Sequence, residues 1–354
     1  MNRKIIDLKH HLASGCCMWS GIEDVYVTRI NQKVPEAFLF ALSSFGETAF
    51  IKTGDKKRPY MFSAADGRTR KTYDRIKDIL GLEYKISEGR TVSYALSSIK
   101  KEIDNGNPVI LGPLDMYYIP YLKMYHKYHV PIHYVVMVGY NSDRSSVYIY
   151  DCDRIELQEL PESDLIQAWQ VEKNAVGDKN GFICFKLFDS LPDPYELARL
   201  CLQNKADRQL CTKPDFVGVN AYAKIARIIP EWKEQFQEKE YKKLLVSITE
   251  GLGMVPKLPN PIIGVVEEDI SYEANYDRFG AMLIELGEEY KQCNWVSAGK
   301  LFQLCGKKIE AIVNYIVQYY LDGSECSDEI QKLFIDTGRC AAEAYELIKE
   351  QASH

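Results

Sequence analysis

Two adjacent cysteines, Cys16 and Cys17, follow the short glycine-containing stretch Ala13-Ser14-Gly15 and lead into Met18-Trp19-Ser20. A thiolate at a helix N-terminus is stabilised by unsatisfied backbone N–H groups and by the helix dipole. The same N–H groups can hold an oxyanion when the sulfur attacks a carbonyl. Such chemistry needs a base within hydrogen-bond reach and a third group to orient that base. His133 and Asp151 are the candidates. His133 opens the apolar run Tyr134 to Tyr140, and Asp151 closes the run Val147 to Tyr150. The polar Asn141-Ser142-Asp143-Arg144 between them reads as a hairpin turn, which brings the start of one strand beside the end of the next. Cys17, two residues after Gly15, is the expected nucleophile. Cys16 is the alternative, because moving the helix start by one residue exchanges the two.

A single buried cysteine is most often a small hydrophobe, and only its conjunction with the strand-edge His and strand-end Asp argues for catalysis. A metal site is the competing chemistry, since His126, His129 and His133 precede Asp151 and Asp153. Adjacent cysteines chelate poorly beside a CxxC pair, however, and the spacing matches no zinc pattern. No metal and no cofactor is therefore expected.

The elements that must position these residues follow from periodicity. Trp19, Ile22 and Val25/Tyr26 recur at helical spacing, so a buried helix is expected from about Cys17. Pro35 opens a second helix that Gly46 ends. Helical stripes end at Leu80 and Ile103, and short strands are expected at 82–86, 109–112, 134–140, 147–150 and 182–186. Helices first and then a run of strands is an α+β order with an antiparallel sheet. Leu191-Pro192-Asp193-Pro194 marks a boundary, and beyond it the chain is mainly helical over 195–210, 216–238, 239–250, 273–292, 295–321 and 327–350. A Pro-rich loop at 255–261 divides those helices. The expected domains are 1–190 and 191–354.

Length and composition bound the class. The 354 residues are 46% hydrophobic, enough for two cores. A formal net charge of −6 without a basic stripe argues against a nucleic-acid partner. Apolar runs such as Val135-Val136-Met137-Val138 are too short for a membrane span, and no signal peptide is read at the start. The ten cysteines form no framework and read as reduced thiols, which predicts a cytoplasmic protein. The oligomeric state is left open, a homo-oligomer included.

A cysteine on an N-terminal helix, with His and Asp on later strands, resembles the papain-like enzymes. More specifically, Gly15-Cys16-Cys17, the stretch from Gly106-Asn107-Pro108-Val109 through Asp115-Met116-Tyr117-Tyr118-Ile119-Pro120-Tyr121, and His133-Tyr134-Val135-Val136-Met137-Val138-Gly139-Tyr140 followed by Asp151 resemble the N-terminal domain of the butirosin biosynthesis protein H family. The C-terminal half, with Asp277-Arg278-Phe279, is similar to the helical domain that follows in that family. The resemblance implies a papain-like catalytic domain, a Cys17–His133–Asp151 triad and an acyltransferase of secondary metabolism and antibiotic biosynthesis. The donor would be an acyl-carrier-protein thioester, and the acceptor a small-molecule amine such as an aminoglycoside. Where the family often has His before its cysteine, this chain has Cys16. Papain-like enzymes also carry an oxyanion-hole side chain shortly before the cysteine. Here that position, six residues upstream of Cys17, is His11, and the backbone N–H of Cys17 is a second donor.

Asp115, Tyr117 and Tyr118 lie in a loop that could line the acceptor site, with Asp115 holding a cationic amine. The other reading of these residues is a turn-forming Asp with packed tyrosines. Two other functions fit the same sequence. One is a papain-like hydrolase that cleaves a peptide, amide or thioester with the same triad. The other is a non-catalytic binding protein, with the helices of 195–350 as a docking or dimerisation surface.

Overall fold

Alternation in the strands and four-residue spacing in the helices set the layers of the N-terminal unit. The computed structural model describes residues 3–12, 17–32, 34, 48–53, 59–63, 69–174, 176–253, 258 and 275–350. The helix expected from Pro35 to Gly46 and the Pro-rich loop at 255–261, apart from Leu258, lie outside them. The chain divides into two compact units. One comprises residues 1–43 and 67–201, the other residues 44–66 and 202–354. Whereas the sequence suggested a single cut at 190/191, the second unit thus also takes a segment from early in the chain.

The first unit is built on an antiparallel sheet. Its strands are β1 (Arg3–Ile5), β4 (Leu82–Ser87), β5 (Val109–Leu114), β6 (His133–Asn141), β7 (Ser146–Asp151), β8 (Arg154–Pro161) and β9 (Phe182–Leu187). They are ordered β4-β9-β5-β6-β7-β8, with β1 pairing the far half of β6. The expected hairpin is present: Asn141 faces Ser146 at its closed end, and Val136 faces Tyr150 toward its open end. Strand β8, which the sequence pattern did not reveal, pairs Asp151 with Arg154 across a tight turn.

Helices cover both faces of this sheet. α1 is Ser20–Ile30, α2 Thr69–Leu80, α3 Val92–Asp104 and α4 Glu162–Ala168. Helix α3 starts at Thr91, whose hydroxyl accepts from Tyr94 N. It buries Ala95, Ile99 and Ile103, spaced by four, against Val109, Leu111, Val135 and Met137. Each of those isoleucines, fully buried, stabilises the layer by roughly 1.5–3 kcal/mol. Helix α1 lies on β6 by way of Gly21, where a Cβ would come within 2.9 Å of Val136 Cγ2. Gly139 likewise admits β1, since a Cβ there would meet Lys4 O at 2.3 Å.

The second unit combines a hairpin with a helical array. Strands β2 (Ala49–Lys52) and β3 (Tyr60–Ser63) pair antiparallel, Phe50 facing Phe62. The helices that follow the sheet are α5 (Pro194–Gln209), which runs across the division, α6 (Asn220–Gln235), α7 (Glu238–Gly251), α8 (Asn275–Glu289), α9 (Cys293–Asp322) and α10 (Ser327–Lys349). The hairpin is fastened by its aromatic side chains. Tyr60 meets the Trp232 ring at 4.9 Å, and Phe62 meets Tyr222 at 5.5 Å and Phe334 at 6.0 Å. Helices α8 and α9 approach closely at Gly280 and Gly299, each of which would put a Cβ 2.6 Å from the other's carbonyl oxygen. The mixed architecture, an antiparallel sheet region followed by helices, is α+β as expected. Among the described residues no helix is long and apolar enough to cross a membrane.

Candidate active site

The open end of the β6–β7 hairpin gathers the chemistry-bearing residues. His133 is the first residue of β6 and Asp151 the last of β7. His133 Nε2 donates to both carboxylate oxygens of Asp151, at 2.9 and 2.8 Å. The carboxylate is fully buried and the imidazole nearly so. With Nε2 committed to the acid, Nδ1 is the ring nitrogen left for another partner. Cys17 also acts on His133, its side chain raising the imidazole through a hydrogen bond and charge that add to those of Asp151. Burial by itself would favour a neutral imidazole. The charge and hydrogen bond of Asp151, and then those of Cys17, outweigh it and hold His133 well above its ordinary value. Asp151 responds in the opposite sense: burial would raise it, but His133, then Tyr121 and the Cys152 N–H, keep it ionised and low.

Cys17 is half-buried, in a turn ahead of the helix. Helix α1 begins at Ser20, three residues later than its apolar spacing suggested. Its start has no side-chain cap at Trp19, and the Ser20 hydroxyl donates to Cys17 O at 3.2 Å instead. Tyr73 of α2 donates to Met18 O at 3.0 Å and stacks on Trp19 at 4.7 Å. These bonds fix the turn on both sides of the thiol. Cys16, the alternative nucleophile, lies outside the described residues.

Asp151 has partners that sequence reasoning missed. Tyr121 donates its hydroxyl to Asp151 Oδ2 at 2.9 Å, and Cys152 N donates to Oδ1 at 2.8 Å. Burial and the adjacent carboxylate hold the Tyr121 phenol far above its usual range, so it stays a donor. Arg154 lies over the Tyr121 ring at 4.4 Å and donates to its carbonyl at 3.3 Å. Tyr121 stood in the Asp-x-Tyr-x-x-Pro-Tyr run from the outset. Its contact spans thirty residues of chain and leaves no mark in periodicity. The Cys152 thiol is raised by burial first and then by the charges of Cys17 and Asp151.

His11 does not meet the expectation of an oxyanion donor. Its Nδ1 donates to Asp24 Oδ1 at 2.8 Å and its Nε2 to Glu23 Oε2 at 2.9 Å, so neither ring N–H remains for a substrate. Burial opposes its charge, but hydrogen bonds to Asp24 and then Glu23 push it up to about 10. Its neighbour His10 is tied in the same way, Nδ1 to Asp24 Oδ2 at 2.7 Å and Nε2 to the carbonyls of Asp151 and Arg154 at 3.1 and 2.9 Å.

Asp115 proves to be a turn residue. One carboxylate oxygen accepts from Tyr117 N and Val130 N at 3.1 and 2.9 Å, and the other from His129 Nδ1 at 2.6 Å. Those bonds occupy the group expected to hold an amine. Tyr117 stacks on His129 at 4.1 Å and meets Tyr118 edge-on at 4.9 Å, so both tyrosines are half-buried parts of the same loop. The histidines weighed as metal ligands are dispersed among different partners. His126 lies on Tyr125, His129 on Asp115 and His133 on Asp151.

Residues 16–152 match the family model described as butirosin biosynthesis protein H, N-terminal. The match contains Cys17, Tyr121, His133 and Asp151 and ends one residue past the acid. No curated protein matches the chain significantly.

Proposed function

We propose, from the match of residues 16–152 to the family model described as butirosin biosynthesis protein H, N-terminal, that the chain is a cysteine-dependent acyltransferase acting in biosynthesis. Cys17 is the nucleophile, His133 the general base and acid, and Asp151 the group that orients and charges His133. The donor is an acyl or aminoacyl thioester on an acyl carrier protein, and the acceptor is an amine of an aminoglycoside-like or other secondary metabolite. The observation that carries the reading is the pair of His133–Asp151 bonds at 2.8 and 2.9 Å in a buried setting, with Cys17 raising the same imidazole. A base held in one tautomer beside a thiol is what covalent catalysis requires.

The reaction runs in two halves. Cys17 Sγ, as the thiolate of a thiolate–imidazolium pair, attacks the donor carbonyl. The C–S bond to the carrier breaks, and the departing sulfur takes a proton from His133. The amine then attacks the Cys17 thioester, His133 accepts its proton, and Cys17 leaves as thiolate. Thioester exchange is close to isoenergetic, and amide formation drives the second half. Backbone N–H groups are the oxyanion donors in this reading, Cys17 N among them, because the His11 ring is engaged elsewhere.

Intact-mass spectrometry after incubation with carrier thioesters tests the proposal on wild type, Cys16→Ala and Cys17→Ala. An acyl adduct on wild type and Cys16→Ala, absent from Cys17→Ala and discharged by an added amine to give an amide, is the expected result. Discharge by water at the same rate would assign a hydrolase. No adduct with any donor would leave a binding protein on the same fold.

A further inference from the structure

Outside the Cys17–His133–Asp151 constellation, one group of buried charges has no part in the chemistry described so far. The half-buried His10 and His11 face the buried carboxylates of Glu23 and Asp24 of α1. Their hydrogen bonds determine their protonation. Both ring nitrogens of His10 meet acceptors: Asp24 Oδ2 at 2.7 Å on one side, and the carbonyls of Asp151 and Arg154 at 3.1 and 2.9 Å on the other. Both ring nitrogens of His11 meet carboxylates. A neutral imidazole has only one N–H, so each ring is an imidazolium. Two cations then face two carboxylates, and the cluster is neutral as a whole, which makes the burial of Glu23 and Asp24 tolerable.

The position of His10 gives the cluster its consequence. Asp151 and Arg154 are paired across the β7–β8 turn, so Nε2 closes on the two carbonyls at the base of the turn that carries the catalytic acid. Nδ1 is anchored on Asp24, in the second turn of the helix that follows Cys17. Tyr150, adjacent to Asp151, stacks on the ring at 4.3 Å with planes 14° apart and fixes its orientation. His11 adds two more bonds to Asp24, from its backbone N and from Nδ1 to Oδ1, so the carboxylate cannot swing away from His10. One imidazole thus spans from the helix behind the thiol to the backbone of the acid.

We propose that His10, held by Asp24, is a positioning residue that sets the alignment of Cys17, His133 and Asp151. As far as catalysis is concerned, this rests on the acyltransferase reading; as a statement about the thiol, it does not. Positioning errors near 1 Å can cost a reaction about a hundredfold, so a clamp on the acid's backbone has kinetic leverage without touching substrate.

The test needs no acyl donor. The rate of Cys17 alkylation by iodoacetamide is followed by peptide mass mapping between pH 5 and 9 for wild type, His10→Ala, His10→Gln, Asp24→Asn and His133→Ala. Wild type should react at pH 6 at least tenfold faster than His133→Ala. His10→Ala and Asp24→Asn should fall at least tenfold at pH 6, toward the His133→Ala rate. His10→Gln, whose amide can still donate to the two carbonyls, should recover much of the loss. A cooperative thermal transition verifies that each variant is folded. If His10→Ala does not fold, Asp24→Asn and His10→Gln decide. A folded His10→Ala or Asp24→Asn protein with the wild-type pH–rate profile overturns the proposal. So does a wild-type profile identical to that of His133→Ala, because there would be no alignment to set. Failure of acyl transfer with the alkylation differences intact would overturn the acyltransferase reading and leave the clamp standing.

Discussion

Replacing Tyr121 by Phe deletes one oxygen atom and tests how Asp151 is kept ionised inside the protein. The carboxylate is fully buried and accepts from three groups: His133 Nε2, Cys152 N and the Tyr121 hydroxyl at 2.9 Å. A hydrogen bond to a charged group contributes about 1.5–3 kcal/mol, and burial at this site leaves little room for water to replace it. Most of that amount should appear as lost stability at neutral pH. For a domain of this size about 2 kcal/mol lowers Tm by roughly 4–8 °C. The same bond favours the ionised acid over the neutral one, so its loss must raise Asp151. The linkage sign is that of a depressed carboxylate: its stabilisation is present at neutral pH and is lost as pH falls through the folded-state value. In Tyr121→Phe that loss begins at a higher pH. The acid limb of Cys17 alkylation therefore shifts upward together with the acid limb of the Tm curve. Differential scanning calorimetry and alkylation kinetics between pH 4 and 8 measure both. A variant that melts earlier but keeps the wild-type acid limbs would mean that Tyr121 merely fills space against Arg154, and the electrostatic reasoning would be wrong.

Asp151→Asn should leave the fold intact and reduce acyl transfer by about 10⁴-fold, the loss expected when a triad base is held in the wrong tautomer; single-turnover kinetics with a carrier thioester reads it, and a loss under tenfold refutes an orienting acid. His11, pushed up to about 10 from an ordinary 6.5, contributes stability that is complete below pH 6.5 and is lost as pH rises through 10. Its contribution is at most roughly 5 kcal/mol. Wild type should accordingly lose more Tm than His11→Gln between pH 7 and 10, and parallel curves would contradict the assignment. Gly139→Ala places a Cβ 2.3 Å from Lys4 O and should push β1 off β6. A cost of about 1–3 kcal/mol is expected in chemical denaturation, and a neutral substitution would show that β1 can shift without loss.

How much of this site could be read from the sequence depended on how local each signal was. His133 and Asp151 were legible because two apolar runs flank a polar turn, and an antiparallel hairpin brings their outer ends together whatever its fine register. The later helices were legible to within a few residues, α10 spanning Ser327–Lys349 where 327–350 was expected, because apolar spacing over many turns averages out local noise. Strand β8 was hidden because Arg-Ile-Glu-Leu-Gln-Glu-Leu-Pro is largely polar and its residues are mostly exposed or half-exposed. Helix α1 starts later than its apolar spacing implies because Trp19 and Ile22 keep helical spacing through a turn that is not yet helix. Tyr121, His10 and His11 act through contacts that join distant parts of the chain, and periodicity carries no trace of such pairings. His11 is marked in the sequence only by its place six residues before Cys17. Its bonds to Glu23 and Asp24, which decide its role, follow only from the folded path.

The interleaving of the two units has a consequence for how this protein is made. Phe50, Tyr60 and Phe62 are synthesised early, yet their partners Tyr222, Trp232 and Phe334 come from the later part of the chain. At about 5–20 residues per second, Phe50 waits roughly ten to thirty seconds for Tyr222 to be polymerised. During that interval the hairpin segment leaves the ribosome as an aromatic stretch without its native cover, the kind of exposed edge that invites pairing with another nascent chain. A polypeptide stopped at residue 190 makes the same condition permanent. It would hold every residue proposed for catalysis and still carry an orphaned hairpin, so removing the helices is expected to convert a folding delay into aggregation.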